Sequence, residues 1–350
     1  MKEKGRVIWL DWLRAFAILT VILVHTSEGI FRYNLEGMAG TPISKQVILF
    51  TLFTIGRLGV PIFLMMSGYL LLRREFNAEY TKKFWINRWL GLLITTEIWI
   101  FVFSFFIAWI AEKPWEMSVA IKQMLFIEKV TIGHMWYMPM ILGLYIFIPL
   151  IANALNRVET SILIFPVTVV ALVYTVYPTM NLLLGVWHKE LRMRCEIDTT
   201  FGGGYYGLIL VIGYMAYKGT FKKIKSYILG ILLAVSFLGT VFFQIWMYSH
   251  NYRYNVWYDF PLLLISAICI FELVSRTNFK SSKIVEEVSK CSFGIYLIHH
   301  PIRTLLVKYI NISSNEIKLV MVYVLVFIIS FAIVKAISYT KYLKKYLFAM

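Results

Sequence analysis

The stretch DWLRAFAILTVILVHT, residues 11–26, decides the fold. Between Arg14 and His25 it has Thr20 as its only polar side chain, so it is apolar on every face. That pattern is neither the one-sided stripe of a surface helix nor the alternation of a half-buried strand. It fits a helix crossing the hydrocarbon core of a membrane, which takes ~20 apolar residues. Arg14 and His25 are eleven positions apart, almost three turns, so they share one face about 16 Å apart. Asp11 lies one turn before Arg14 and Glu28 one turn after His25, so one stripe reads Asp11, Arg14, His25, Glu28. Residues three apart can pair, and Glu28 is placed to orient the imidazole or stabilise its charged form. Ionisable groups inside a membrane cost about 3 kcal/mol or more unless partnered, and so mark candidate functional positions. The plainer reading makes Arg14 the cytoplasmic end of a span and His25 an interfacial histidine.

The rest of the chain supports the membrane reading. Of 350 residues, 59% are apolar and only 15% charged, with a mean hydropathy of +0.71. That leaves too little polar surface to cover a water-soluble globule. A β-barrel is excluded because its strands alternate over ~10 residues, whereas these segments are apolar all round. The expectation is an all-α polytopic membrane helix bundle, one domain over 1–350. Ten spans are read at 7–27, 50–72, 90–111, 134–152, 161–184, 201–217, 227–248, 258–275, 292–311 and 318–338. A shorter amphipathic segment, 117–129, belongs at the interface. With the N terminus in the cytoplasm, the inside connections hold 20 Lys and Arg and the outside ones 9, so both termini are expected to be cytoplasmic. The net charge of +16 is then mainly a topology signal and argues for no nucleic-acid partner. Cys195, Cys269 and Cys291 lie in different segments without metal-ligand spacing, so neither a disulfide framework nor a metal site is expected.

Other polar residues fall inside or at the rims of the spans. Arg57 in the second span and Glu97 in the third suggest a salt bridge between neighbouring helices. Ser67-Gly68 reads as a close-packing spot, since small residues let membrane helices approach. His134 and Trp136, in GHMWYMP at the outer start of the fourth span, read first as interface anchors. His299, His300 and Arg303 lie in FGIYLIHHPIRTLL, where Pro301 disturbs the helix and a polar, kinked midpoint suits a cavity. The loop WHKELRMRCEID (187–198) is densely charged and reads as solvated.

Together these segments resemble the acyltransferase 3 family of integral-membrane acyltransferases. Its signature in the first membrane helix is Arg or Lys, ten residues, then His, matched here by Arg14 and His25. Val60, Pro61, Phe63, Ser67 and Gly68 resemble the family's second-span pattern. His134 and Trp136 resemble its His-x-Trp segment, and Tyr296, His299 and Pro301 its Tyr-x-x-His-x-Pro segment. One departure is Gly91, which stands near the Pro that family members often carry after Arg88.

The resemblance implies transfer of an acyl group, usually acetyl, from cytoplasmic acetyl-CoA to a hydroxyl or amine of an acceptor. A cell-envelope glycan or lipid-linked sugar is the expected acceptor, and the membrane of a bacterial cell the expected location. Arg14, with Arg73, Arg74 and Arg88, is then expected to hold the coenzyme phosphates. His25 serves as general base or acyl carrier with Glu28 beside it. Ser67, His134, Trp136, His299 and Arg303 are candidates for substrate contacts or oxyanion donors. Acetyl-CoA, the acceptor and membrane lipids are the expected partners, with a homo-oligomer left open. The rival class is a transporter or flippase of an envelope precursor, although the inverted repeats common in transporters are absent from the sequence. A membrane sensing subunit is a third reading, one that has no need of the Arg14/His25 pair.

Overall fold

The structure, a computed structural model, describes residues 6–130, 132–187 and 204–349. Its regular structure is helical, with no strand among the described residues. Seven helices are long and apolar enough to cross a membrane: α1 (Ile8–Ile30), α2 (Ile43–Leu71), α3 (Ala78–Ile110), α5 (Gly133–Asn156), α6 (Thr160–Trp187), α8 (Ser226–Ser249) and α11 (Asn315–Ser338). Two shorter apolar helices, α7 (Gly204–Tyr217) and α9 (Pro261–Ser275), and the more polar α10 (Lys283–Tyr309) join the bundle. The short α4 (Met117–Met124) packs on α3, where an interfacial segment was expected, and α12 (Lys341–Phe348) closes the chain. Each expected span thus falls on a helix, with residues 201–203 of the sixth outside the described residues. Three helices begin well before the apolar runs that announced them: α2, α3 and α10 start at Ile43, Ala78 and Lys283. Their first turns are polar, capped for α3 by Asn77, whose Oδ1 accepts the Tyr80 N–H at 2.8 Å, so hydropathy alone places the starts too late.

Position in the bundle follows from what each helix exposes. α1 and α2 are mostly buried, whereas α6 is mostly outward-facing. Phe165, Ile231 and Val320 are exposed at 77%, 60% and 64%. Such outward apolar side chains suit lipid as the solvent. α2 is interrupted at Leu58, just ahead of Pro61, whose ring lacks the N–H that would continue the ladder. The break leaves Arg57 at the end of the first half of α2, beside α1.

Ser67-Gly68 divides into two roles. A Cβ at Gly68 would sit 1.8 Å from the Leu210 carbonyl oxygen, and one at Gly213 would sit 2.1 Å from that of Met65. The two glycines therefore let the backbones of α2 and α7 touch, the close packing that small residues permit.

Candidate active site

α1 and α10 run side by side, and their contact positions carry most of the polar groups singled out above. The rings of His25, His134, His299 and His300 gather between α1, the turn that opens α5, and α10. Centroid separations are 5.4 Å for His25–His299, 5.5 Å for His25–His300, 5.1 Å for His134–His299 and 4.9 Å for His134–His300. His134 and His299 are fully buried.

Backbone chemistry explains this gathering. Pro301 has no N–H, so the carbonyl of Leu297, four residues earlier, loses its helical donor. His134 Nε2 takes it up at 3.1 Å. Tyr296, on the same helix, donates its hydroxyl to the His134 carbonyl at 2.6 Å. The proline thus does not break α10, which continues to Tyr309; it opens one carbonyl, and the turn Gly133–Trp136 docks there.

The partners also fix the imidazole tautomers. His25 Nδ1 lies 3.1 Å from Glu28 Oε2, so Nδ1–H donates and Nε2 carries the lone pair. His299 Nδ1 donates to the Tyr296 carbonyl at 2.6 Å, and its Nε2 is buried without a partner. His134 Nε2 donates to Leu297, which leaves Nδ1 as a buried lone pair. His300 Nε2 accepts from Arg303 at 2.6 Å. In this arrangement His134 and His299 present acceptors, not the donors an oxyanion needs.

Glu28 has a second partner that spacing did not reveal. Arg57 donates to Glu28 Oε1 at 2.7 Å, so the pairing suggested for Arg57 is with Glu28 and not with Glu97. Arg57 is 5% exposed, with its guanidinium carbon 4.7 Å from the ring centres of both Phe53 and Trp257. Arg57, Glu28 and His25 form a relay across two helices.

Trp257 and Tyr258 are held over Arg57 by a buried amide. Gln244 on α8 donates to Thr54 Oγ1 at 2.9 Å and accepts the Val256 N–H at 3.0 Å. Trp136 belongs to this wall, with its ring 5.5 Å from Trp257 and 5.6 Å from Tyr258. Gln244 belongs to none of the motifs read from the sequence; a glutamine within the apolar run FLGTVFFQIWMY is the signal that points to it.

The remaining candidates lie elsewhere. Arg14 donates to Ser289 Oγ at 3.3 Å, and that hydroxyl donates to Asp11 at 2.6 Å, so Asp11 reaches Arg14 through Ser289 and itself pairs with Arg6. Tyr145 and Arg88 lie within electrostatic reach of Arg14, and Arg88 is exposed. Ser67 contacts the Tyr145 hydroxyl at 3.3 Å. Ten residues separate it from Arg57, about 15 Å along a helix, so it sits at the Arg14 level and away from His25. Arg73 stacks near Tyr69 and Tyr217, and Arg74 bonds the Leu70 carbonyl and Tyr80; neither bonds the Arg14 group. In the charged loop, residues 188–198 lie outside the described residues, Cys195 among them; Cys269 and Cys291 are free and buried.

The family model described as an acyltransferase domain, Acyl_transf_3, matches residues 7–339. The chain belongs to the acyltransferase 3 family. The match runs from the start of α1 to the end of α11, so every helix that supplies the histidine cluster lies within the acyltransferase domain. Among curated proteins, an amino-acid racemase of Enterococcus faecalis is 25% identical over 338 residues, covering 89% of this chain and 44% of the relative. The acyltransferase 3 chain thus spans less than half the length of that relative. No solved structure matches it.

Proposed function

We propose that the chain is a membrane acyltransferase that moves an acyl group, acetyl in the first instance, from cytoplasmic acetyl-CoA to a hydroxyl of a cell-envelope glycan or lipid-linked sugar at the outer face of a bacterial plasma membrane. The observation that carries this reading is the Arg57–Glu28–His25 relay. A carboxylate on Nδ1 holds the imidazole in the tautomer whose Nε2 is basic, and it stabilises the imidazolium once a proton arrives. Arg57 fixes the carboxylate in turn. Nε2 takes the acceptor's hydroxyl proton as the oxygen attacks the thioester carbonyl carbon. The tetrahedral intermediate then expels the coenzyme sulfur, which receives that proton from His25. The products are an acyl ester and free coenzyme A.

The oxyanion needs N–H donors. Among the described residues, Nε of Arg57, whose guanidinium stands beside His25, is a buried N–H without a partner. His134 and His299 fit a different task, accepting hydrogen bonds from the acceptor's hydroxyls. On the donor side, the Arg14 group with Arg88 suits phosphates, whose geometry guanidinium matches. The pantetheine arm then runs the ~16 Å from Arg14 to His25, past Ser67 and Tyr145.

Two outcomes follow. Glu28→Gln keeps the shape of the relay but removes the charge that favours imidazolium, so turnover of purified enzyme falls about 10²- to 10⁴-fold; a rate within threefold of wild type would remove Glu28 from the mechanism. Arg14→Ala raises the KM for acetyl-CoA about tenfold or more, while turnover at saturation stays within a few-fold, because uniform binding is lost. Unchanged coenzyme affinity, measured by titration, moves the phosphate clamp to another residue.

A further inference from the structure

Of the two guanidinium groups beside His25, Arg57 is bonded to Glu28, while Arg303 is bonded to no carboxylate among the described residues. Arg303 donates to His300 Nε2 at 2.6 Å, and its Nε is buried without a partner. The carboxylate whose charge acts on it is Glu28, whose two oxygens are already taken by His25 and Arg57. A largely buried cation without a counter-ion of its own is costly in a membrane protein, and its retention points to an anion that arrives with a ligand.

The backbone makes space for this group. Gly29 is four residues past His25 on α1, and Arg303 four past His299 on α10, so both stand one turn, ~5–6 Å, outward of the reacting centre. A Cβ at Gly29 would lie 2.8 Å from an Arg303 terminal nitrogen and 3.0 Å from its Cδ. The guanidinium lies against bare α1 backbone, with the imidazole of His300 on another side.

We propose that Arg303 binds an acid group of the acceptor, so that the hydroxyl acylated at His25 belongs to an anionic molecule bearing a carboxylate or a phosphate about one helical turn from the reacting oxygen. This rests on the acyl-transfer reading of the same site. The fork of a guanidinium suits either acid group. A neutral sugar would leave the charge unpaired, and sites built for a charged partner reject analogues that lack it.

The test uses the purified full chain in lipid nanodiscs, with glucose, glucuronate and glucose 1-phosphate as probes. Binding is followed by titration and acyl transfer from acetyl-CoA by mass spectrometry. At least one acidic probe is expected to bind tenfold or more tightly than glucose. Preference for glucuronate assigns a carboxylate, and preference for glucose 1-phosphate a phosphate. The preference is expected to vanish in Arg303→Gln and to persist in part in Arg303→Lys. Gly29→Ala gives a second, milder variant: the atoms it meets are the end of a flexible side chain, so Arg303 is displaced while the fold is retained, and the preference weakens. Equal responses to the three probes, including no response to any, overturn the proposal, as does an acid preference that Arg303→Gln leaves intact. Acid preference without acyl transfer to any probe keeps the anion site and counts against the acyltransferase reading.

Discussion

His25→Ala removes acyl transfer. The substitution takes away the basic Nε2 and leaves no neighbour to replace it: His299 has the same tautomer and His134 the opposite one, both belong to other hydrogen-bonded frames, and neither bonds Glu28. General-base catalysis contributes about 10²- to 10⁴-fold, and loss of an acyl carrier would cost at least as much, so the expected rate is at or near background. The fold survives, since Glu28 keeps its bond to Arg57 and α1 keeps its packing against α2 and α10. Release of coenzyme A by equal amounts of monodisperse wild type and variant measures the effect. Retention of a tenth or more of the rate would remove His25 from the chemistry. Rapid quenching of wild type during turnover, with mass spectrometry of the α1 peptide, then separates the two routes: an acyl group on His25 indicates a covalent intermediate, and its absence a direct transfer with His25 as base.

Gly68→Ala has the largest expected effect on folding. Its Cβ would meet the Leu210 carbonyl oxygen at 1.8 Å, and the reciprocal Gly213→Ala would meet that of Met65 at 2.1 Å. Both obstacles are backbone, so no side chain can swing aside and α2 must separate from α7. Overpacking typically costs about 1–3 kcal/mol, and displacement of two backbones belongs at the upper end or beyond. Each variant is expected to lose most of its monodisperse protein on extraction. Gly91→Ala and Gly143→Ala meet nothing within 4 Å and serve as controls with unchanged yield. Equal recovery of Gly68→Ala and Gly91→Ala would contradict the close contact of α2 and α7.

The span pattern was legible because apolar residues on every face leave a simple signal, and the Arg14–His25 stripe because a helix has a fixed period. What one helix does to another was not legible. Arg57 invited a partner in the third span, and only the packing of α2 on α1 brings it to Glu28, twenty-nine residues away in sequence. His134 looked like an interface anchor because its partner, the carbonyl that Pro301 frees on α10, is a backbone group 163 residues distant. Ser67 looked like an oxyanion donor until its depth on α2 placed it beside Tyr145. Tautomers decide whether an imidazole donates or accepts, and they depend on partners that the sequence does not pair.

A structure determined with acetyl-CoA bound would show whether the donor thioester reaches His25. The nucleotide phosphates are expected against Arg14 and the thioester carbonyl carbon within about 4 Å of His25 Nε2. A coenzyme whose thioester ends at the Ser67 level, or lies outside the helix bundle, would contradict that placement.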